Sequence, residues 1–403
     1  MRKVYLDNGS TSFPKAPGVG EAMSKFITEV GCNVSRGGYE TAYNLGETIF
    51  ETRSMLCRMF NFSDEKYAAF TPSVTYSLNF VIKGLLKPGD HVIISSMEHN
   101  AVARPCESLR SNGVEITVVP CDRDGILDMT AFECSFKKNT KLAVMSHSSN
   151  VCGSVLDAEE AGKICKAKDV PFVLDAAQSA GVLEIDFEKY NLSALCLTGH
   201  KGLLGPQGIG ALLITPEFAG SLEPLICGGT GSASHLLTMP EFMPDKFEAG
   251  TLNLPGIIGL NASLKYIEDV GINNIFQKEK RLAELFMYKI DSLNDELAAA
   301  ENGKKEDGNM KAPIRVVGTR DWKKRIGTVS LDFSRIDNAE VSFLLDSEYG
   351  IMTRCGLHCA PIAHQTLGTY PQGTVRFAFG HENTEKEVEY AANAIKEILE
   401  QAE

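Results

Sequence analysis

Short apolar runs recur through the first half of the chain. Each ends in a polar turn, and most are followed by apolar residues at helical spacing. The runs at 67–70, 91–96, 114–120, 141–147, 171–175, 193–198 and 208–215 read as strands. Helical spacing occurs at 19–30, 46–60, 76–86 and 158–168; in the second of these Ile49, Met55, Leu56 and Phe60 share a face. Strands alternating with helices predict an α/β fold with a mostly parallel sheet and helices on both faces. The loop Phe247-Glu248-Ala249-Gly250-Thr251-Leu252-Asn253-Leu254-Pro255-Gly256 then enters a helical stretch running to 293, which marks a candidate domain boundary. Beyond it the pattern predicts strands at 314–317 and 327–333, a helix at 339–348 and an amphipathic helix at 385–399. Strands at 350–353 and 375–379 frame a polar loop, and the charged segment 301–310 reads as an exposed loop.

The turns carry the chemistry. Those at Thr75, His99, Asn150, Asp175 and Lys201 all follow apolar strands, and ligands of open α/β sheets sit beyond the carboxyl ends of strands. Lys201 lies in Thr198-Gly199-His200-Lys201-Gly202, between small residues that leave it room to enter a cavity. Asp175 ends the run Phe172-Val173-Leu174 and opens Asp175-Ala176-Ala177-Gln178. A lysine amine forms a Schiff base with an aldehyde cofactor. A strand-end carboxylate keeps a pyridinium nitrogen protonated, which makes the ring an electron sink. Either residue alone is more commonly a surface lysine or a strand-end aspartate; together they point to pyridoxal phosphate. The small hydroxyl residues of Thr71-Pro72-Ser73-Val74-Thr75, before a helix, suit a phosphate or an ordinary helix cap.

Composition narrows the partners. A chain of 403 residues is long enough for two domains. A net charge of −12 argues against nucleic acid, which needs a basic face. No apolar run approaches the length of a membrane span, and the opening Met1-Arg2-Lys3 lacks the apolar core of a signal peptide. The eleven cysteines are scattered without a Cys-x-x-Cys pair. That argues against a disulfide framework or a metal ribbon and points to a reducing cytoplasm.

The motifs resemble those of the class V aminotransferase group of fold-type-I pyridoxal phosphate enzymes, and within it the cysteine desulfurases and selenocysteine lyases. The resemblance spans nearly the whole chain. It rests on Asp175-Ala-Ala-Gln178, Thr198-Gly-His-Lys201, Phe247-Glu-Ala-Gly-Thr251 and Arg354-Cys355-Gly356-Leu357-His358-Cys359-Ala360. The last resembles the short cysteine loop of the Suf-type desulfurases.

The resemblance implies a large cofactor-binding domain over 15–256, with a mostly parallel mixed sheet. It also implies a smaller C-terminal α+β domain over 257–403, joined by 1–14. Lys201 is then the Schiff-base lysine, Asp175 the partner of the pyridine nitrogen and Gln178 that of the phenolic oxygen. His99 stacks on the ring and joins Lys201 and Cys359 as a catalytic residue. Thr75, Thr198 and His200 bind phosphate, as does the backbone of Val74, which stands where a hydroxyl is frequent. Thr251 matches a phosphate ligand supplied by the other subunit of a homodimer. Asn150, Arg376 and Arg354 hold the substrate. Cys359 is the nucleophile that takes sulfur from L-cysteine as a persulfide and leaves L-alanine, its thiol made acidic by Arg354 or His358. Cys355 is a space-filling residue or a relay thiol.

The alternatives are a selenocysteine lyase acting on L-selenocysteine, another class V aminotransferase or lyase, and a non-enzymatic scaffold on the same fold. A sulfur or selenium acceptor protein is an expected partner, and no metal is expected.

Overall fold

A computed structural model describes residues 3–34, 38–301 and 312–401. In chain order the strands are β1 (Val4–Tyr5), β2 (Ala68–Thr71), β3 (His91–Ser95), β4 (Glu115–Val119), β5 (Thr140–Ser146), β6 (Phe172–Asp175) and β7 (Ala194–Thr198). They continue with β8 (Gly210–Ile214), β9 (Ile314–Val317), β10 (Thr328–Phe333), β11 (Ile351–Met352), β12 (Arg354–Gly356) and β13 (Thr374–Ala378).

Seven strands form one sheet in the order β2-β8-β7-β6-β5-β3-β4. β7, β6, β5, β3 and β4 are mutually parallel, and β8 runs antiparallel to both of its neighbours. The connection 199–209 explains that reversal: it holds no helix and is too short for a crossover, so the chain turns back beside β7. β3, β6 and β7 are buried at every position, as strands covered on both faces must be. This is why they read as continuous apolar runs rather than as alternation.

A second sheet, β12-β13-β10-β9, is antiparallel throughout. The amino terminus joins this part of the molecule: β1 pairs in parallel with β11, and Val4 and Leu6 pack in one apolar cluster with Phe286, Val329, Ile351 and Phe377. The long helical stretch after 256 is two helices, Leu254–Val270 and Ile272–Glu301. They part at Gly271, whose φ of 87° a helix cannot contain. The helix expected from 46 begins earlier, at Glu40. The segment 302–310, expected as an exposed loop, lies outside the described residues. Among the described residues no helix is long and apolar enough to cross a membrane.

Candidate active site

The carboxyl ends of the parallel strands bring the polar turns together. Ser146 at the end of β5 sits opposite Asp175 at the end of β6, and Asp175 opposite Cys196 in β7, from which the chain runs on to Lys201. Burial pushes the Lys201 amine down from 10.5 to about 8. Asp175 opposes that shift, while Arg376 and Arg354 reinforce it. Asp175 is itself 4% exposed. Burial raises its pKa, the Ala177 N–H donated to Oδ1 at 2.9 Å works against the rise, and so does the charge of Lys201. The pair is therefore a largely desolvated amine and a buried carboxylate, each favouring the other's charged form against the cost of burial.

His99 caps the helix Asn100–Arg110, its Nδ1 accepting the Ala101 N–H at 3.0 Å. That bond fixes the tautomer with the proton on Nε2. Burial, then the charges of Lys201 and Arg354, push its pKa down to about 4, so the ring is neutral at physiological pH. A neutral imidazole at this strand end can lie flat on an aromatic cofactor. Gln178 donates from Nε2 to the Gly9 carbonyl at 2.9 Å and so ties the amino-terminal turn to the site.

The turn before the helix Val74–Leu85 is built like an anion site. Ser73, with extended backbone, stands at the N-cap position but its side chain makes no capping bond, so the first N–H groups stay available. Val74 is buried and contributes only backbone, while Thr75 is exposed. A Cβ on Gly210 would come within 3.1 Å of Ser73, and Gly210 lies opposite Thr198 in register, so this helix end sits beside β7. Thr198 Oγ1 and His200 Nδ1 are buried there without a hydrogen-bond partner. Burial is also the main reason that His200 is neutral, at about 4. An uncapped helix end, an orphaned hydroxyl and an orphaned ring nitrogen fit a phosphate group. With Lys201 and Asp175 beyond them, the residues present fit pyridoxal phosphate.

Arg376 on β13 is 2% exposed. Its Nη1 donates to the Asn150 carbonyl at 2.9 Å, and its Nη2 to Asp7 Oδ1 at 2.7 Å and Ser10 Oγ at 2.8 Å. Arg354 Nη1 donates to the same Ser10 Oγ at 2.6 Å. Arg376 Nε is buried with no acceptor, a vacancy suited to one more carboxylate oxygen. Gly9 permits this crowding, since a Cβ there would lie 3.1 Å from Arg376 Cζ.

Cys359 is exposed and His358 buried. Both hold left-handed backbone, with φ of 58° and 47°, a conformation that costs non-glycine residues energy. Three bonds hold the turn: Asn150 Nδ2 to the His358 carbonyl at 2.7 Å, the Asn100 N–H to the Cys359 carbonyl at 2.8 Å, and His358 Nε2 with Thr374 Oγ1 at 3.0 Å. Burial, followed by the charge of Arg376, pushes His358 down to about 2. It therefore carries no charge with which to acidify the thiol, and the expectation that it does so is corrected; Arg354 remains as a cation close to the loop. Cys355 faces the other way. It alternates with Arg354 on β12 and packs against the apolar cluster of Phe377 and Leu345, and burial raises its pKa.

The site thus gathers Lys201, Asp175, Gln178, His99, Asn150, Arg354, Arg376 and the Cys359 loop. Thr251 stands apart: it is exposed and lines a cleft with Thr71, Pro72 and Tyr76.

The sequence reading missed three residues. Asp7 and Ser10 are in its polar turn after the first strand, and only the β1–β11 pairing shows that this turn reaches the arginines. Glu98 is fully buried, and burial raises it to about 7. It accepts from Ser95 Oγ and from the Ser146 N–H and hydroxyl, so it stitches the ends of β3 and β5 and sets the start of the His99 turn. An acidic residue directly before His99 was the available signal.

Comparison with known proteins agrees with this geometry. The family described as Aminotransferase class-V matches residues 4–391. A probable cysteine desulfurase of Pyrococcus abyssi is 34% identical over 405 residues, covering 98% of this chain and 94% of the relative. Among solved structures, the apo cysteine desulfurase of Thermococcus onnurineus NA1 is 31% identical, with a TM-score of 0.87, covering 99% of this chain and 95% of that one. The cysteine desulfurase CsdA of Escherichia coli is 27% identical, with a TM-score of 0.83 and the same coverage of both chains. The chain belongs to the class V aminotransferases, a pyridoxal phosphate-dependent family, and the relatives it resembles along their full length are cysteine desulfurases.

Proposed function

We propose that this protein is a pyridoxal phosphate-dependent cysteine desulfurase that converts L-cysteine to L-alanine and takes the sulfur onto Cys359 as a persulfide. One observation carries the reading. An exposed cysteine sits on a turn bonded to Asn150, within electrostatic reach of a buried low-pKa lysine that faces a buried aspartate.

Lys201, Asp175, Gln178, His99, Thr198, His200 and the backbone of Val74 and Thr75 would hold the cofactor. When bound, pyridoxal phosphate supplies an electron sink for negative charge at the substrate Cα. Asp175 would keep a proton on the ring nitrogen, and His99 would cover the ring and exclude water. Arg376 and Asn150 orient the substrate carboxylate, with Arg354 beside them, which places the Cα–H bond for removal. Lys201 Nζ, half neutral near pH 8, takes the Cα proton. The Cys359 thiolate attacks the substrate sulfur. An Sγ–S bond forms and the Cβ–S bond breaks. The bonding pair leaves with Cβ, which gains a proton, and Lys201 returns its proton to Cα to complete alanine.

The test is turnover of L-cysteine and L-selenocysteine, side by side, without a keto acid. The reading expects alanine from L-cysteine and a Cys359-dependent persulfide. Strict need for a keto acid would make it a transaminase, and release of selenide alone would make it a selenocysteine lyase.

A homodimer is part of the proposal. Tyr43 and Phe50 on the helix Glu40–Met59 are 65% and 60% exposed, and Leu237 and Phe242 in the segment before Pro244 are exposed as well. Apolar area on this scale suits a second copy, and Thr251 is free to reach the phosphate site of that copy. We read 15–256 as the large domain and 257–403 with 1–14 as the small one; the packing of Val4 and Leu6 supports the second grouping. The eleven free thiols support a reducing cytoplasm.

A further inference from the structure

The loop that presents Lys201 is closed by its own backbone and pinned from outside by a second lysine. Within it, the Leu204 N–H donates to the Lys201 carbonyl at 2.8 Å and the Gly205 N–H to the Gly199 carbonyl at 2.8 Å. Leu204 holds left-handed backbone, with a φ of 56°, which costs a leucine energy and needs support from its surroundings. That support comes from the amino-terminal segment, which takes two further carbonyls of the loop. The Ala16 N–H donates to the Leu204 carbonyl at 3.1 Å, and the Ser12 N–H to the His200 carbonyl at 2.9 Å.

Lys15 lies between these two anchors in sequence, bracketed by Pro14 and Pro17. Pro17 disfavours helical backbone at Ala16, so the segment runs along the loop and does not coil away from it. The Lys15 ammonium has three N–H groups and meets three acceptors: the His200 carbonyl at 3.0 Å, Thr11 Oγ1 at 3.0 Å and Ser12 Oγ at 3.1 Å. Both hydroxyls in turn donate to the same carbonyl, at 3.1 and 3.2 Å. Four donors thus converge on one oxygen, that of the peptide joining His200 to Lys201.

The three acceptors of the ammonium are neutral, and burial lowers Lys15 from 10.5 to about 8. A half-buried cation held by neutral oxygens pays for desolvation without the return of an ion pair. What the arrangement secures is the carbonyl. The charges that shift the Lys201 amine most are those of Asp175, Arg376 and Arg354, so Lys15 reaches Lys201 through the backbone and not through space. Fixing the rotation of the peptide before Lys201 sets the direction in which its side chain leaves the loop.

We propose that Lys15 is a positioning residue for Lys201, whose ammonium, acting through the His200 carbonyl, holds the Lys201 amine where it meets the aldehyde of the cofactor. The proposal rests on the reading of Lys201 as the Schiff-base lysine.

The test compares the cofactor-free protein with Lys15→Met, which keeps the length of the side chain and removes its three donors. At pH 7, below the Lys15 pKa of about 8, growth of the yellow band is timed in saturating pyridoxal phosphate. Equilibrium dialysis then gives the affinity for pyridoxine phosphate, which has the ring and the phosphate but no aldehyde. Lys15→Met is expected to slow the yellow band by about 10- to 100-fold, the effect of a small misplacement of a reacting group, and to leave pyridoxine phosphate affinity unchanged. Thr11→Val, which removes one bridging hydroxyl, should slow the band in the same sense but by less. A lysine that merely supports the fold would lower rate and affinity together; that result, or an unchanged rate, overturns the proposal. If Lys15→Met does not fold, Thr11→Val decides by the same two readings. Borohydride reduction and peptide mapping of the unaltered protein keep the two readings apart. A label on Lys201 with a normal rate in Lys15→Met would sink this proposal alone, and no label on Lys201 would sink the cofactor reading together with it.

Discussion

Cofactor loading should titrate with Lys201 near pH 8, not as an ordinary lysine near 10.5. Only the neutral amine attacks an aldehyde. At pH 8 roughly half of the Lys201 amine is neutral, against roughly 0.3% of an unperturbed lysine, a factor of about 150. The cause is burial, so the shift belongs to the folded site. The assay mixes cofactor-free protein with pyridoxal phosphate and follows the growth of the yellow band from pH 6 to pH 10. Dividing each rate by that of free N-acetyl-lysine cancels any ionisation of the aldehyde itself. This ratio should be large below pH 8 and fall about tenfold per pH unit above it, because Lys201 is then fully neutral while the free amine is still gaining. Asp175→Asn removes the group that raises the Lys201 pKa, so the break should move to lower pH. A ratio that stays flat across the range would show that Lys201 titrates as a solvated lysine, and the argument from burial would fail.

Other outcomes follow from single contacts. Cys359→Ala should keep the yellow cofactor and lose sulfur transfer from L-cysteine, whereas Cys355→Ala, a change on the core side of β12, should retain most of it. Thr198→Val and His200→Ala each remove one orphaned buried polar atom. Each should weaken cofactor affinity by about 10- to 100-fold, as expected for a hydrogen bond to a charged group, read by equilibrium dialysis. Gly181→Ala places a Cβ 2.2 Å from the Gly202 carbonyl at a φ of 80°. It should cost about 2–4 kcal/mol, seen in urea unfolding, and lower cofactor occupancy by shifting the loop that carries Lys201.

The sequence was most legible where structure is local. Buried parallel strands such as Val92–Ile94 appear as apolar runs, and the turns after them carry the polar residues of the site. The break at Gly271 was not read, because apolar spacing continues on both sides of it. What remained hidden depends on pairings across the whole chain. Asp7 and Ser10 reach Arg376 only because β1 lies beside β11, more than three hundred residues away. The resemblance already told the two loop cysteines apart; strand alternation and the packing of β12 add a physical distinction that the sequence did not show. His358 shows the same limit. Its place beside Cys359 suggested a charge, and its burial against Thr374 removes it.

The central claim is that Cys359 takes the substrate's sulfur while Lys201 works the Cα proton. Protein loaded with pyridoxal phosphate, given one equivalent of L-cysteine per site without oxygen, keto acid or reductant, should form one alanine per site. Mass spectrometry of the peptides should find the one spanning Cys359 heavier by one sulfur atom, with Cys355 unchanged. Alanine without added sulfur on Cys359, or sulfur carried by Cys355, would contradict the account.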